Sequence, residues 1–180
     1  MKSQKINVTL KGIRPIMFDR FVSMKAELSP MDKVYQKDGS LILPAKNIMS
    51  FLSGINTESA PQRIIGKKWK TICKAALSFV NIEPYEIFFE RNGKRISFDD
   101  VDIVTDKAIV KKGALAIPSE KSRPVLKMPW SLSFTIELFQ NQDLNDAILK
   151  RLFEEGGIMV GLGSYRGVYG KFIVERWTIE

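Results

Sequence analysis

The sequence predicts an α+β fold: an antiparallel sheet with two helices packed on it, and an inserted basic helix and hairpin. Two segments alternate apolar and polar residues with the period of a half-buried strand, Ile6-Val8-Leu10 near the start and Trp130-Leu132-Phe134-Ile136-Leu138 later on. Each precedes a stretch with helical apolar spacing, and a last strand pattern over 171–179 closes the chain. Reduced to these signals, the order is strand, helix, strand-rich middle, strand, helix, strand. That is the split βαβ, or ferredoxin-like, plan, the arrangement also used by RRM-type sheets.

Taken in order, the first strand runs from about Lys5 to Ile13. Val34-Tyr35-Gln36 and Ser40-Leu41-Ile42-Leu43 flank Lys37-Asp38-Gly39, where Asp-Gly supplies the positive φ of a tight hairpin turn. Pro44 is placed to open a helix carrying Ile48, Met49, Phe51 and Leu52, and Gly54 ends it. Ile64, Ile65, Trp69, Ile72, Ala76, Phe79 and Val80 keep helical spacing, while Arg63, Lys67, Lys68, Lys70 and Lys74 decorate the same stretch. From Glu83 the pattern returns to strand, with a hairpin at Arg91-Asn92-Gly93-Lys94 and a further strand from Val101 to Val110. A basic loop follows, with Lys107, Lys111, Lys112, Lys121, Arg123 and Lys127 beside Glu120. Asp143 is a fitting N-cap for a helix of Leu144, Ala147, Ile148, Leu152 and Phe153, which Gly156-Gly157 stops. Trp69, Trp130 and Trp177 fall on apolar stripes and are expected in the core. The chain reads as a single domain over 1–180, with the insertion at about 54–129, too long for one strand and a turn.

Composition bounds the chemistry. The chain of 180 residues is 44% hydrophobic and 27% charged, with 28 Lys+Arg against 20 Asp+Glu for a net charge of +8, a balance that favours polyanionic partners. The single Cys73 excludes a disulfide framework and a cysteine-only zinc site, and the absence of His removes imidazole ligation and imidazole acid/base catalysis. No metal site and no cofactor is expected. No run of apolar residues is long enough for a membrane span, and Met1-Lys2-Ser3-Gln4-Lys5-Ile6-Asn7 leads into a strand pattern and not into the apolar core of a signal peptide, so the expectation is a cytoplasmic, soluble protein.

The segment most suited to chemistry is the glycine-rich stretch after the second helix, with Gly156, Gly157, Gly161, Gly163, Gly167 and Gly170. Glycines relax the backbone and let peptide N–H groups approach a phosphate. Arg166 is a fork-shaped phosphate donor, and Tyr165 and Tyr169 offer rings on which a base stacks. The competing reading is a tight connection whose tyrosines pack on the core. Neither nucleotide-binding loop fits, since Gly161-Leu162-Gly163 follows a helix and lacks a third glycine of the dinucleotide fingerprint, and no Gly-Lys-Ser/Thr follows for a P-loop.

A helix, then Gly-x-Gly, a short run with a basic residue, Gly-x-x-Gly and a closing strand resembles the C-terminal signature of the RAMP (repeat-associated) RNA-binding proteins of CRISPR effector complexes. The similarity in order of elements spans most of the chain; at motif level it is confined to Gly161–Lys171, where Gly167-Val168-Tyr169-Gly170 departs from the family's usual Gly-hydrophobic-Gly ending. Solitary proteins of this look also occur in phages and mobile elements. The resemblance implies a loop of Gly161, Gly163, Ser164, Tyr165, Arg166, Gly167, Tyr169, Gly170 and Lys171 bound to the backbone of a guide-like RNA, an inserted basic hairpin or helix doing likewise, and copies of the protein aligned along the strand.

The expected function is therefore binding of single-stranded RNA, or single-stranded DNA, without catalysis. The basic run of Arg63, Lys67, Lys68, Lys70 and Lys74 extends the surface, with Lys46 and Arg14 as further candidates. Partners are the nucleic acid and either further copies of the chain or other subunits of a ribonucleoprotein, with no membrane. A second reading is a protein-interaction module of a phage or mobile element that acts on a nucleoprotein complex. The third is a metal-dependent ribonuclease: the family's cleavage chemistry uses an acidic residue between the first strand and first helix, where Asp19, Asp32 and Asp38 lie, Asp32 best placed by order and Asp38 explained by its turn.

Overall fold

The computed structural model describes residues 2–20, 29–54 and 57–180, and of residues 108 and 110–112 the backbone alone. Strands β1 (Ser3–Gly12) and β2 (Ile16–Met17) lead to a 3-10 turn at Pro30–Lys33, the hairpin of β3 (Gln36–Lys37) and β4 (Ser40–Pro44), and helix α1 (Ala45–Ser53). Helix α2 (Ala60–Ile64), a 3-10 turn at Gly66–Lys68 and helix α3 (Trp69–Phe79) follow. The rest is β5 (Val80–Glu83), β6 (Glu86–Arg91), β7 (Lys94–Arg95), β8 (Asp102–Lys112), β9 (Leu115–Leu126), β10 (Ser131–Phe139), α4 (Asp146–Met159) and β11 (Phe172–Ile179).

The main sheet has the order β11-β1-β10-β6-β4-β3, with β5 also on β10 and β7 on β6. Its ladders are antiparallel. Strand β10 pairs with β5 over Thr135–Leu138 and with β6 over Ser131–Leu132, so β5 and β6 act as one interrupted strand. With α1 to α3 between β1 and this pair, and α4 between β10 and β11, the arrangement is the ferredoxin-like one.

The period-two pattern sets the register. Ile6, Val8 and Leu10 lie opposite Ile136, Phe134 and Leu132, and all of them are buried, so the apolar side of each strand meets the helices. Slipping by one residue would turn every one of these side chains to water. In α1 the buried residues Ala45, Ile48, Phe51 and Leu52 form the inward stripe, and Gly54 caps the helix in the left-handed region at φ 73°. Pro44 stands at the N-cap and ends β4, one position before the helical slot expected for it.

Helix α4 differs from expectation at both ends. Asn145, two residues beyond Asp143, is the N-cap, and its side-chain oxygen accepts from the Ile148 amide at 2.9 Å. Gly156 and Gly157 do not stop the helix, which continues to Met159. They are buried, and a Cβ on Gly156 would lie 2.7 Å from both Ala60 and the Phe51 ring, while one on Gly157 would lie 2.5 Å from the Phe172 carbonyl oxygen. The pair brings α4 against α1, α2 and β11 around the rings of Phe51, Phe153 and Phe172, whose centroids are 5.4 to 6.5 Å apart.

Two further differences concern the middle of the chain. The basic stretch is not one helix: Gly66, at φ 68°, breaks it into α2 and α3. The expected loop between Lys112 and Lys127 is instead mostly strand, since β8 and β9 pair over their whole length as a long hairpin that joins β2 in a second sheet, β2-β9-β8. Among the tryptophans, Trp130 is fully buried, whereas Trp69 and Trp177 are partly buried. Among the described residues no helix is long and apolar enough to cross a membrane.

Gly157→Ala tests the helix packing. The new methyl should cost about 1–3 kcal/mol in urea denaturation because the Phe172 backbone cannot yield as a flexible side chain would. Ile158→Ala, on the half-exposed side of the same turn, should stay within about 0.5 kcal/mol.

Candidate nucleic-acid interface

The glycine loop leaves α4 through two bonds to the Gly156 carbonyl, from Val160 N at 2.8 Å and Gly161 N at 3.0 Å. It then folds back on itself and on β2. Leu162 N donates to Gly170 O at 2.9 Å, Ser164 N to Met17 O at 2.8 Å and Gly170 N to Pro15 O at 2.7 Å. Gly163 is required here, because a Cβ on it would lie 2.6 Å from Met17 O at a φ of 78°. These amides are engaged with carbonyls of the chain itself. The amides of Tyr165 to Val168 bond to no carbonyl among the described residues, and in the same stretch Tyr165, in the left-handed region at φ 50°, and Val168 are exposed and Arg166 is partly buried.

Gly163 to Gly167 form one wall of a cleft of about 540 Å³. Met17 to Asp19 and Tyr35, Asn47 and Ser50 of α1, and Thr57, Glu58 and Arg63 supply the others. Arg166 donates from its guanidinium to the Thr57 hydroxyl. Burial pushes the pKa of Arg166 down from its usual value, and the negative charge of Glu58 works against that shift. Glu58 itself pairs with Arg63 at 3.5 Å, so among the described residues Arg166 has no ion-pair partner. A guanidinium partly stripped of water and with no acid in ion-pair contact gains more from an incoming anion than a fully solvated one does.

The β8–β9 hairpin stands beside the loop. Ile16 and Met17 of β2 pair with Leu126 and Val125 of β9, and Met17 also bridges to Ser164. From β9, Arg123 is buried with its guanidinium 5.6 Å from the centroid of the Tyr165 ring, and Tyr169 packs 6.0 Å from that ring on its own side. Arg123 Nη2 is 3.9 Å from Asp106 and its Nε has no acceptor among the described residues. Lys121, two positions along and hence on the same face, is ion-paired with Asp19 of the cleft wall, and Lys33 donates to Ser122 O at 2.7 Å.

No family profile and no curated protein matches this sequence. Among solved structures, the chain is similar to a chain of the cryo-EM structure of the type III-B Cmr-beta bound to cognate target RNA. The TM-score is 0.57 at 15% sequence identity, over 99% of this chain and 61% of that one. The likeness is one of fold. This chain thus spans 61% of the length of its neighbour.

Of the residues singled out in the sequence, the structure brings Gly163, Ser164, Tyr165, Arg166, Gly167 and Arg63 to the cleft. Tyr169 lies next to Tyr165, and Lys46, which is not part of the lining, is 6.0 Å from the ring of Tyr35, which is. Gly161 and Gly170 are buried beneath the loop, and Lys171 offers its carbonyl to the amides of Ile13 and Arg14. Arg14 and Asp32 do not line the cleft; Arg14 accepts the Trp130 indole N–H at 2.8 Å through its carbonyl, and Asp32 is exposed and caps the 3-10 turn by accepting from Ser29 N at 3.0 Å. Lys67, Lys68, Lys70 and Lys74 sit on the second 3-10 turn and α3, outside the cleft lining, with Lys70 over the Trp69 ring at 5.5 Å. Sequence reasoning missed Arg123, Lys121 and Asn47 as neighbours of the site. For the first two a signal exists: 121, 123 and 125 alternate as one face of a strand.

A double-mutant cycle over Arg123→Leu and Tyr165→Ala, read by chemical denaturation, should give a coupling of about 0.5–2 kcal/mol for the ring and guanidinium contact. Strictly additive losses would mean that hairpin and loop are not in contact through this pair.

Proposed function

We propose that this protein is a non-catalytic single-stranded RNA-binding protein, a RAMP-like subunit of a CRISPR-type ribonucleoprotein, that holds the strand between the glycine loop and the root of the β8–β9 hairpin. The observation that carries this reading is Arg166, a partly desolvated cation without an ion-pair partner among the described residues, set in a cleft beside the exposed ring of Tyr165. Guanidinium and ring match the two parts of a nucleotide, phosphate and base. A fold similar to a chain of an RNA-bound complex supports RNA over DNA and other subunits as partners.

Binding in this reading is first electrostatic. Arg166 and Arg63 contact phosphate directly, Lys46 adds positive charge near Tyr35, and the lysines of α3 give the strand a second place to run. Each neutralised phosphate releases counterions, so affinity falls as salt rises. A cleft of this size admits one strand and not a duplex.

The protein-interaction reading has one observation of its own. Ile109 and Leu115, near the end of the hairpin, are 71% and 68% exposed, which suits a protein surface better than a phosphate. A ribonuclease centred on Asp32 has less support, since that carboxylate caps a turn away from the cleft and, among the described residues, no group of three His, Cys, Asp or Glu is placed to hold a metal.

Fluorescence anisotropy with a labelled single-stranded RNA decides between these. Log affinity should fall linearly with log salt, by about 0.7 per phosphate contacted. Arg166→Ala should weaken binding by about 1–3 kcal/mol, the range of a charge-assisted hydrogen bond. A flat baseline at micromolar protein and low salt would favour the protein-interaction reading.

A further inference from the structure

We infer that the cleft receives one unpaired base turned out of the bound strand, and that Asn47, with Ser50 beside it on α1, reads the edge of that base. This rests on the RNA-binding reading and adds to it a site with a chemistry of its own.

The walls of the cleft differ in kind. The charged lining is Arg166 of the loop, Arg63 of α2 and the carboxylates of Glu58 and Asp19, whereas α1 contributes a carboxamide and a hydroxyl. Asn47 and Ser50 are three residues apart and so share a helix face, while Ile48, Phe51 and Leu52 go to the core. Either side chain can donate to a phosphate, but both also carry acceptors, which an ionised phosphate leaves unused. Both present donors and acceptors of the sort that pair with the edge of a base, and a carboxamide can do so through two bonds at once.

Their hydrogen-bonding capacity is also unused. Among the described residues, neither the Asn47 amide nor the Ser50 hydroxyl has a side-chain hydrogen bond, although both are partly buried. Four other asparagines are occupied: Asn141 spans Phe139 and Leu144 in the turn before α4, Asn145 caps that helix, Asn7 binds Thr135 and Glu180, and Asn81 donates to Glu137; the exposed Asn92, in a hairpin turn, is not. Neither Asn47 nor Ser50 is a buried unpartnered group, so both are free to exchange water for the polar edge of a ligand.

Shape agrees with chemistry. Tyr35 and Tyr165 both line the cleft and provide ring surfaces for a planar guest. The volume of about 540 Å³ lies in the range of pockets that enclose a small organic ligand, the size class of one nucleotide. With its phosphate on Arg166 at the loop side, such a nucleotide directs its base toward α1.

Anisotropy with uridylate, cytidylate and adenylate homopolymers of equal length tests this. The protein should rank the three with a spread of about tenfold or more, the discrimination expected of a bidentate contact. Asn47→Ala should collapse the spread to about twofold and leave the weakest homopolymer bound as before, whereas Arg166→Ala should weaken all three alike and keep their order. Asn47→Asp, which keeps the shape and replaces the donor by an acceptor, should change the order, and serves if the alanine variant does not fold. Equal affinities for the three, or an unchanged spread in Asn47→Ala, overturns the base site while leaving RNA binding intact. Failure to bind any of them at low salt overturns both.

Discussion

Ile16 and Met17 make a strand only 2 residues long, yet both of its edges are in use. On one edge they pair with Leu126 and Val125, and Phe18 N continues the ladder to Pro124 O at 2.9 Å. On the other, Met17 O accepts from Ser164 N, with Pro15 O accepting from Gly170 N just before the strand. Hairpin and glycine loop are thus fixed to the same few peptides. Both side chains of β2 are fully buried, so the strand cannot move without disturbing the core. The contacts above it, Arg123 with Tyr165 and Lys121 with Asp19, refine a geometry that the backbone has already set. Glycine at 163 is the condition for all of this, since any larger residue would hold the loop away from Met17.

The sheet was legible in the sequence because its face is buried on one side only. Alternation in β1 and β10 then carries information about the fold, and the register pairs the apolar positions one to one. The hairpin of β8 and β9 was not legible for the converse reason: along most of its length neither face is covered, so nothing selects an alternating pattern, and Pro118 and Pro124 argue against a strand. Both prolines stand at even positions of β9, as does Leu126, which pairs with β2; there the backbone nitrogen points away from β8, and its missing hydrogen interrupts no bond to that strand. The glycines misled in a similar way. Gly156 and Gly157 have the identity of helix stops but the environment of packing residues, which only the position of Phe51, Ala60 and Phe172 reveals.

The candidate site was legible in part. Its glycine loop stands out by composition, and Arg166 and Tyr165 prove to face the cleft together with Arg63, one member of the basic run. The lysines beyond Gly66 are separated from it by a turn that the helical spacing of the flanking residues conceals. Asn47 could not be found from sequence, because a polar residue on the outer side of an amphipathic helix looks the same whether it meets solvent or a cleft.

The fate of the loop's amides decides what kind of recognition this surface can offer. A nest of free N–H groups would bind any phosphate and would be indifferent to what the phosphate carries. Here the amides of Leu162, Ser164 and Gly170 are bound to carbonyls while those of Tyr165 to Val168 are not, and beside them stands a guanidinium held at one point by Thr57 and offset by the field of Glu58. The same cleft is lined by Asn47 and Ser50 of α1 and by the carboxylates of Asp19 and Glu58. In the proposed reading a nucleotide of a flexible strand meets both kinds of group, its phosphate the guanidinium and its base the carboxamide and hydroxyl.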